Sequence, residues 1–166
     1  MLRALLPAAL STFASFASAE GAEPPLLESV KPEQVMPCVG IPGSTESCVR
    51  ILACVGSEGL WFDGRAIGWD AGTVEGKLSD GHSCTGEWRS GFAFGTGRSV
   101  VSCTDGSRGH VLYYIEHNET GTVEGSGLDT KGRKLWVWTG LNVLEFLKGK
   151  DGVPRLNCGT TAIPIS

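Results

Sequence analysis

Gly72-Thr73-Val74-Glu75-Gly76 recurs unchanged as Gly121-Thr122-Val123-Glu124-Gly125, and a degraded copy begins between them at Gly97. From each of the three starting glycines an Asp follows eight residues later: Asp80, Asp105 and Asp129. Sixteen residues on stand Trp88, Tyr113 and Val137. A glycine, a turn acid and a large apolar residue are what a strand–turn–strand unit requires. The turn residues reverse the chain, the large side chain covers the neighbouring hairpin, and a glycine opposite leaves room for its ring. One hairpin is marginal in water, so several must associate to bury a continuous surface. The expected fold is therefore all-β: an antiparallel meander of stacked β-hairpins.

Working outward, Asp63-Gly64, Asp80-Gly81 and Asp105-Gly106 read as tight hairpin turns, because such turns need residues that tolerate positive φ. Between the turns, strands are expected at residues 72–78, 82–88, 98–103, 111–115, 122–127 and 134–139. Cys48-Val49-Arg50-Ile51-Leu52-Ala53-Cys54-Val55 is the first strand, and the two-residue period places Cys48 and Cys54 on one face. Residues 141–148, bracketed by Gly140 and Gly149, fit a strand and a short helix equally. The domain plan is a hairpin-repeat domain over 46–148 and a C-terminal tail over 149–166 that Cys158 anchors.

At the other end, Arg3 followed by the mostly apolar stretch 4–17 and the small-x-small site Ala17-Ser18-Ala19 has the form of a secretory signal peptide over 1–19. The apolar run is short and broken by Pro7, so it does not read as a membrane anchor. Residues 20–45 hold Pro24, Pro25, Pro32, Pro37 and Pro42, and proline removes backbone donors, so an extended arm is expected. The whole chain carries 14 Lys+Arg against 18 Asp+Glu. Removing residues 1–19 takes one cation and no acid, leaving 13 − 18 = −5. That balance argues against a nucleic-acid or acidic-lipid surface. No later segment has the length and apolarity of a transmembrane helix, and the expected location is secreted or periplasmic.

All six cysteines, Cys38, Cys48, Cys54, Cys84, Cys103 and Cys158, follow the signal segment. An even count in an exported chain predicts three disulfides, with about fifteen possible connectivities. The competing metal site lacks a Cys-x-x-Cys or His-x-x-x-His spacing.

The stretch Cys84-Thr85-Gly86-Glu87-Trp88-Arg89-Ser90-Gly91-Phe92-Ala93-Phe94-Gly95-Thr96-Gly97 resembles the MORN repeat. Gly86, Trp88, Gly91, Gly95 and Gly97 match its spacing, with Cys84 where the motif begins on an aromatic residue. Residues 61–68 with Gly72, and residues 113–125, look like weaker copies. The resemblance implies an elongated sheet of successive hairpins and a scaffold, a membrane-associated module or an enzyme appendage. In the hairpin reading, residues 89–96 form the turn and a Cys84–Cys103 bridge crosses adjacent strands. Cys54–Cys84 is the alternative, and Cys38 or Cys48 with Cys158 would staple the ends.

No residue set announces catalysis. His82, His110 and His117 have no triad or metal spacing, there is no Gly-x-Ser-x-Gly elbow, and Glu75 and Glu124 share one repeat position. No catalytic, cofactor or metal residues are assigned. Five tryptophans are many for this length. Trp136 and Trp138 share a strand face, with Trp88 expected near them. With His117 they are the candidate binding residues, either as a stacking platform or as the core of a Gly-rich sheet. The expected function is an exported binding or scaffold module whose partner is an envelope protein or a glycan. The alternatives are a small envelope hydrolase using Glu and His groups, or an enzyme inhibitor presenting residues 89–96 or 117–120.

Overall fold

The computed structural model describes residues 38–91 and 96–166. The expected signal peptide, the arm up to residue 37 and residues 92–95 of the MORN-like stretch lie outside the described residues. Eight strands follow one another: β1 (Cys48–Val55), β2 (Leu60–Trp69), β3 (Ala71–Leu78), β4 (Ser83–Arg89), β5 (Gly97–Cys103), β6 (Arg108–His117), β7 (Thr122–Asp129) and β8 (Lys134–Gly140). Each pairs antiparallel with the next, and β8 returns to β1 from Gly140 opposite Arg50 to Leu135 opposite Val55. The sheet is thereby a closed eight-stranded barrel.

Closure corrects the MORN-like reading. In an open stack of hairpins, the two outermost strands would keep a row of unpaired backbone groups. Here those strands, β1 and β8, satisfy each other, which removes the edge. The glycines that suggested stacked hairpins serve curvature instead. Gly64 of β2 and Gly76 of β3 are cross-strand partners, and a Cβ on Gly76 would lie 2.5 Å from the Cα of Gly64 and 2.6 Å from the ring of Phe62. The two strands approach closely there, and one ring covers both bare positions. Inward glycines of this kind let strands bend into a small barrel. Trp88 lies opposite Gly72 and Tyr113 opposite Gly97, so aromatic rings also face glycines across β3–β4 and β5–β6.

The Asp63-Gly64 dipeptide, expected as a turn, is the middle of β2. Asp63 receives the Arg50 guanidinium at 2.6 and 3.0 Å across the β1–β2 pair. That ion pair on the outer face and the Phe62 ring on the inner face hold the dipeptide extended. Gly81 and Gly106, by contrast, do sit in turns with φ of 97° and 80°.

Alternation sorts the side chains. The inner cluster is Ile51, Ala53, Val55, Phe62, Ala66, Val74, Leu78, Cys84, Val111, Tyr113, Leu135 and Val137, with Trp88, Val101 and Cys103 against it. β1 is apolar on both faces because it is covered on both. Leu52 and Cys54 point outward and are buried with Val143, Leu156, Cys158 and Ile165. These last four belong to residues 141–166, which form the short helix α1 (Val143–Phe146) and a hairpin of β9 (Arg155–Cys158) and β10 (Thr161–Pro164). Residues 141–148 thus take the helical alternative.

All six cysteines are paired. Cys84–Cys103 joins directly opposed residues of β4 and β5 inside the barrel. Cys54–Cys158 pins the C-terminal hairpin to the outside of β1, and Cys38–Cys48 closes a local loop ahead of β1. The Cys54–Cys84 alternative fails because Cys54 faces outward and Cys84 inward.

Candidate functional site

The barrel interior does not offer a chamber. Its cavity measures about 60 Å³ between side chains such as Phe62, Val101, Val111 and Val137. Small-molecule sites occupy about 300–1,000 Å³. The one polar pair among the buried inner side chains of β5 and β6 is self-contained: Ser99 Oγ and Tyr113 Oη lie 3.0 Å apart. Burial pushes the Tyr113 phenol up to about 12, the serine hydroxyl acting slightly the other way.

One end of the interior is closed by charge. Asp129, with a side chain 3% exposed, accepts Arg133 Nε at 2.6 Å. It also accepts the backbone N–H groups of Lys131 and Arg133 at 2.9 and 2.8 Å. Asp105 accepts Ser107 Oγ at 2.6 Å, Lys131 Nζ at 2.8 Å and Arg133 Nη2 at 3.2 Å. Burial raises both carboxyl pKa values. The hydrogen bonds and cations more than offset it, so both acids are held below the ordinary carboxylate range. Their partners are all internal, so the cluster ties the β5–β6 turn to the β7–β8 turn.

The outer face of β6–β8 is different. Its outward residues include His110, Leu112 and Tyr114 on β6, Glu124, Ser126 and Leu128 on β7, and Lys134, Trp136 and Trp138 on β8. Cross-strand register sets His110 opposite Leu128, Leu128 opposite Lys134, Leu112 opposite Ser126 and Ser126 opposite Trp136. Leu112 is 50% exposed, Leu128 56% and Trp136 45%. Trp136 is fixed from the side: its Nε1 donates to Oε1 of Glu124 on the neighbouring strand β7 at 3.1 Å. Glu124 Oε2 in turn meets His117 Nε2 at 3.2 Å, and the His117 ring lies 4.4 Å from that of Phe146 in α1. Beside Trp136 is an open depression of about 660 Å³ lined by His110, Ser126, Leu128, Asp129, Thr130 and Lys134, among others.

The candidate binding residues therefore separate. Trp136 is exposed on this face. Trp138 points to the same side but packs against the outer cluster of Leu52, Cys54, Val143, Leu156, Cys158 and Ile165, to which the C-terminal segment contributes. Trp88 lies inside the barrel, away from both, with Nε1 donating to the Ile67 carbonyl at 3.2 Å. His117 supports Glu124 and so steadies Trp136 indirectly.

No family model and no curated sequence matches the chain. Among solved structures, one similar chain is a de novo designed fluorescence-activating β-barrel. It has 16% sequence identity and a TM-score of 0.45, and covers 57% of this chain and 90% of that one.

The three histidines are dispersed. His82 Nδ1 contacts Thr104 Oγ1 at 3.2 Å beside the β3–β4 turn, His110 lines the outer depression, and His117 sits at the far end of β6. Among the acids, Glu75 pairs with Arg65 at 2.5 Å and Glu145 with Lys148. Among the described residues no group of His, Cys, Asp and Glu is arranged to hold a metal ion. The residues that sequence reasoning missed are Leu112, Leu128 and Lys134; His110 enters it only as a catalytic or metal-binding group. Their signal was parity. Taking Val111 and Val137 as inward makes them outward, and leaves two leucines and Trp136 on the outer face.

Proposed function

We propose that this protein is an exported binding module that captures its partner on the outer face of β6–β8. The observation that carries this is the exposure of Leu112, Leu128 and Trp136 on outward positions grouped around Ser126, with Trp136 held by Glu124. Exposed aromatic and aliphatic side chains grouped on one face mark interaction surfaces, and a fixed indole loses little freedom when it binds. A filled interior and charged, bonded turns leave the function to this surface. The secreted or periplasmic setting is supported by the form of residues 1–19 and by three disulfides, which persist in oxidising compartments.

Outward charges at Asp63, Arg65, Glu75, Lys77, Glu87 and Arg98 on β2–β5 support the aqueous reading. A membrane-spanning barrel instead carries an apolar outer band around a polar interior. The test is capture from an envelope extract, covering proteins and glycans, by the immobilised disulfide-bonded protein. Leu112→Ser with Trp136→Ala is expected to reduce capture by about tenfold, the loss of one hot-spot contact or more. Lys77→Ala on β3 is expected to leave it unchanged. Equal capture by all three proteins would overturn the proposal.

A further inference from the structure

We infer that the depression beside Trp136 is a site for an acidic saccharide of the uronic-acid kind. This rests on reading the β6–β8 face as the binding face, and it names the chemistry of the partner. Three features of the site converge on that chemistry.

The first is the aromatic surface. Trp136 is exposed, yet its single N–H donor is already used by Glu124. What remains for a partner is an apolar ring face, suited to the C–H face of a sugar ring. Leu128, across Ser126 and one position along β7, extends that surface.

The second is shape and lining. The depression of about 660 Å³ is open and shallow, and it presents hydroxyls at Ser126 and Thr130 and the His110 ring around the Trp136–Leu128 surface. A polyhydroxylated ring needs such a mixture: one apolar platform with hydrogen-bonding groups at its margin. An apolar peptide anchor would call for an enclosed socket.

The third is charge. The chain as a whole is acidic, with a formal net charge of −4. Yet this site has a cationic margin. Lys134 lines the depression and its ammonium has no ion-pair partner among the described residues. Arg108, the preceding outward position on β6, likewise has no ion-pair partner there, and its backbone N–H donates to Thr130 Oγ1 at 3.0 Å. The nearby carboxylates are occupied. Asp129 is turned inward onto Arg133, and Glu124 is shared by Trp136 and His117. An anion arriving at Lys134 therefore meets a free cation, while the one acid that lines the depression, Asp129, is already paired with Arg133; a neutral sugar would leave Lys134 unused. Opposite charge at such a margin selects the partner more than it adds affinity.

The experiment titrates the full disulfide-bonded protein with oligogalacturonate, with its methyl ester, and with polyglutamate. Tryptophan fluorescence and amide NMR shifts of residues 108–136 are the readouts. The acid oligosaccharide is expected to shift residues around 110, 126–128 and 134–136 and to bind about tenfold tighter than its ester, the loss expected for one charge-assisted contact. Lys134→Gln, an exposed change that preserves the fold, is expected to abolish that preference. Trp136→Phe is expected to weaken both saccharides. Equal binding of acid and ester overturns the inference, as does equal binding of polyglutamate and the oligosaccharide. If no saccharide binds but extract capture still depends on Trp136, the saccharide assignment fails and the binding face stands. If capture too is independent of Trp136, the face itself fails.

Discussion

At the scale of single residues, the glycines carry the most structure. A Cβ on Gly127 would lie 1.8 Å from the carbonyl oxygen of His110, a backbone atom in the paired strand. It cannot be accommodated without moving β6, which forms both the inner wall and the candidate binding face. Gly132, at φ 77° in the β7–β8 turn, has open space around it. Gly132→Ala should therefore cost about 1 kcal/mol, the strain of a left-handed alanine. Gly127→Ala should cost about 2–3 kcal/mol or more through overpacking. Urea midpoints at constant m-value decide this, and equal losses would show that β6 yields without penalty. The same scale shows why one dipeptide misled. Asp63-Gly64 and Asp105-Gly106 are identical locally. Arg50, thirteen residues upstream of Asp63, makes the first an extended pair, whereas Asp105 bonds Ser107 two residues on and stays a turn.

At the scale of elements, the β5–β6 and β7–β8 turns are welded by Asp105, Asp129, Lys131 and Arg133. Both carboxyls have folded pKa values below the unfolded value of about 3.9. The folded state thus binds fewer protons in that range. Its extra stability is fully present above the unfolded pKa and is lost as pH falls through the folded pKa. Unfolding free energy should be nearly flat from about pH 7 to pH 5 and should fall below about pH 4, the carboxylate range. Asp105→Asn should lower stability at neutral pH, and the gap from the parent protein should narrow under acid. Urea denaturation at neutral and acid pH checks it, and a constant gap would place the acid sensitivity elsewhere. These acids were readable as turn formers from their spacing. Their mutual tie was not, because Asp105 and Arg133 are 28 residues apart.

At the scale of the molecule, residues 141–166 complete the exterior by covering Leu52 and Cys54 on β1, and the Cys54–Cys158 bridge spans 104 residues. In the chain-entropy view, a loop of that size contributes about 4–5 kcal/mol by restricting the unfolded chain. Replacing both cysteines by alanine should lower the stability read from guanidinium unfolding by an amount of that order. Amide exchange should rise first in residues 143–165. If that segment stays as protected as before, packing on β1 alone holds it.

The sequence by itself determined seven of the eight barrel strands, the Asp80-Gly81 and Asp105-Gly106 turns and an even set of cysteines, because strand alternation and turn chemistry act within a few residues; it missed β2, where Asp63-Gly64 read as a turn. It left residues 141–148 open, since eight residues carry too little period to separate helix from strand. Only the tertiary structure decided that the meander closes. Open hairpins and a barrel share the same alternation and differ in curvature accumulated over eight strands, and the closing pair of Val55 with Leu135 joins residues far apart in the chain. Closure then set the binding face as well. It sent Trp88 inward, packed Trp138 against the outer cluster, and left Trp136 in water.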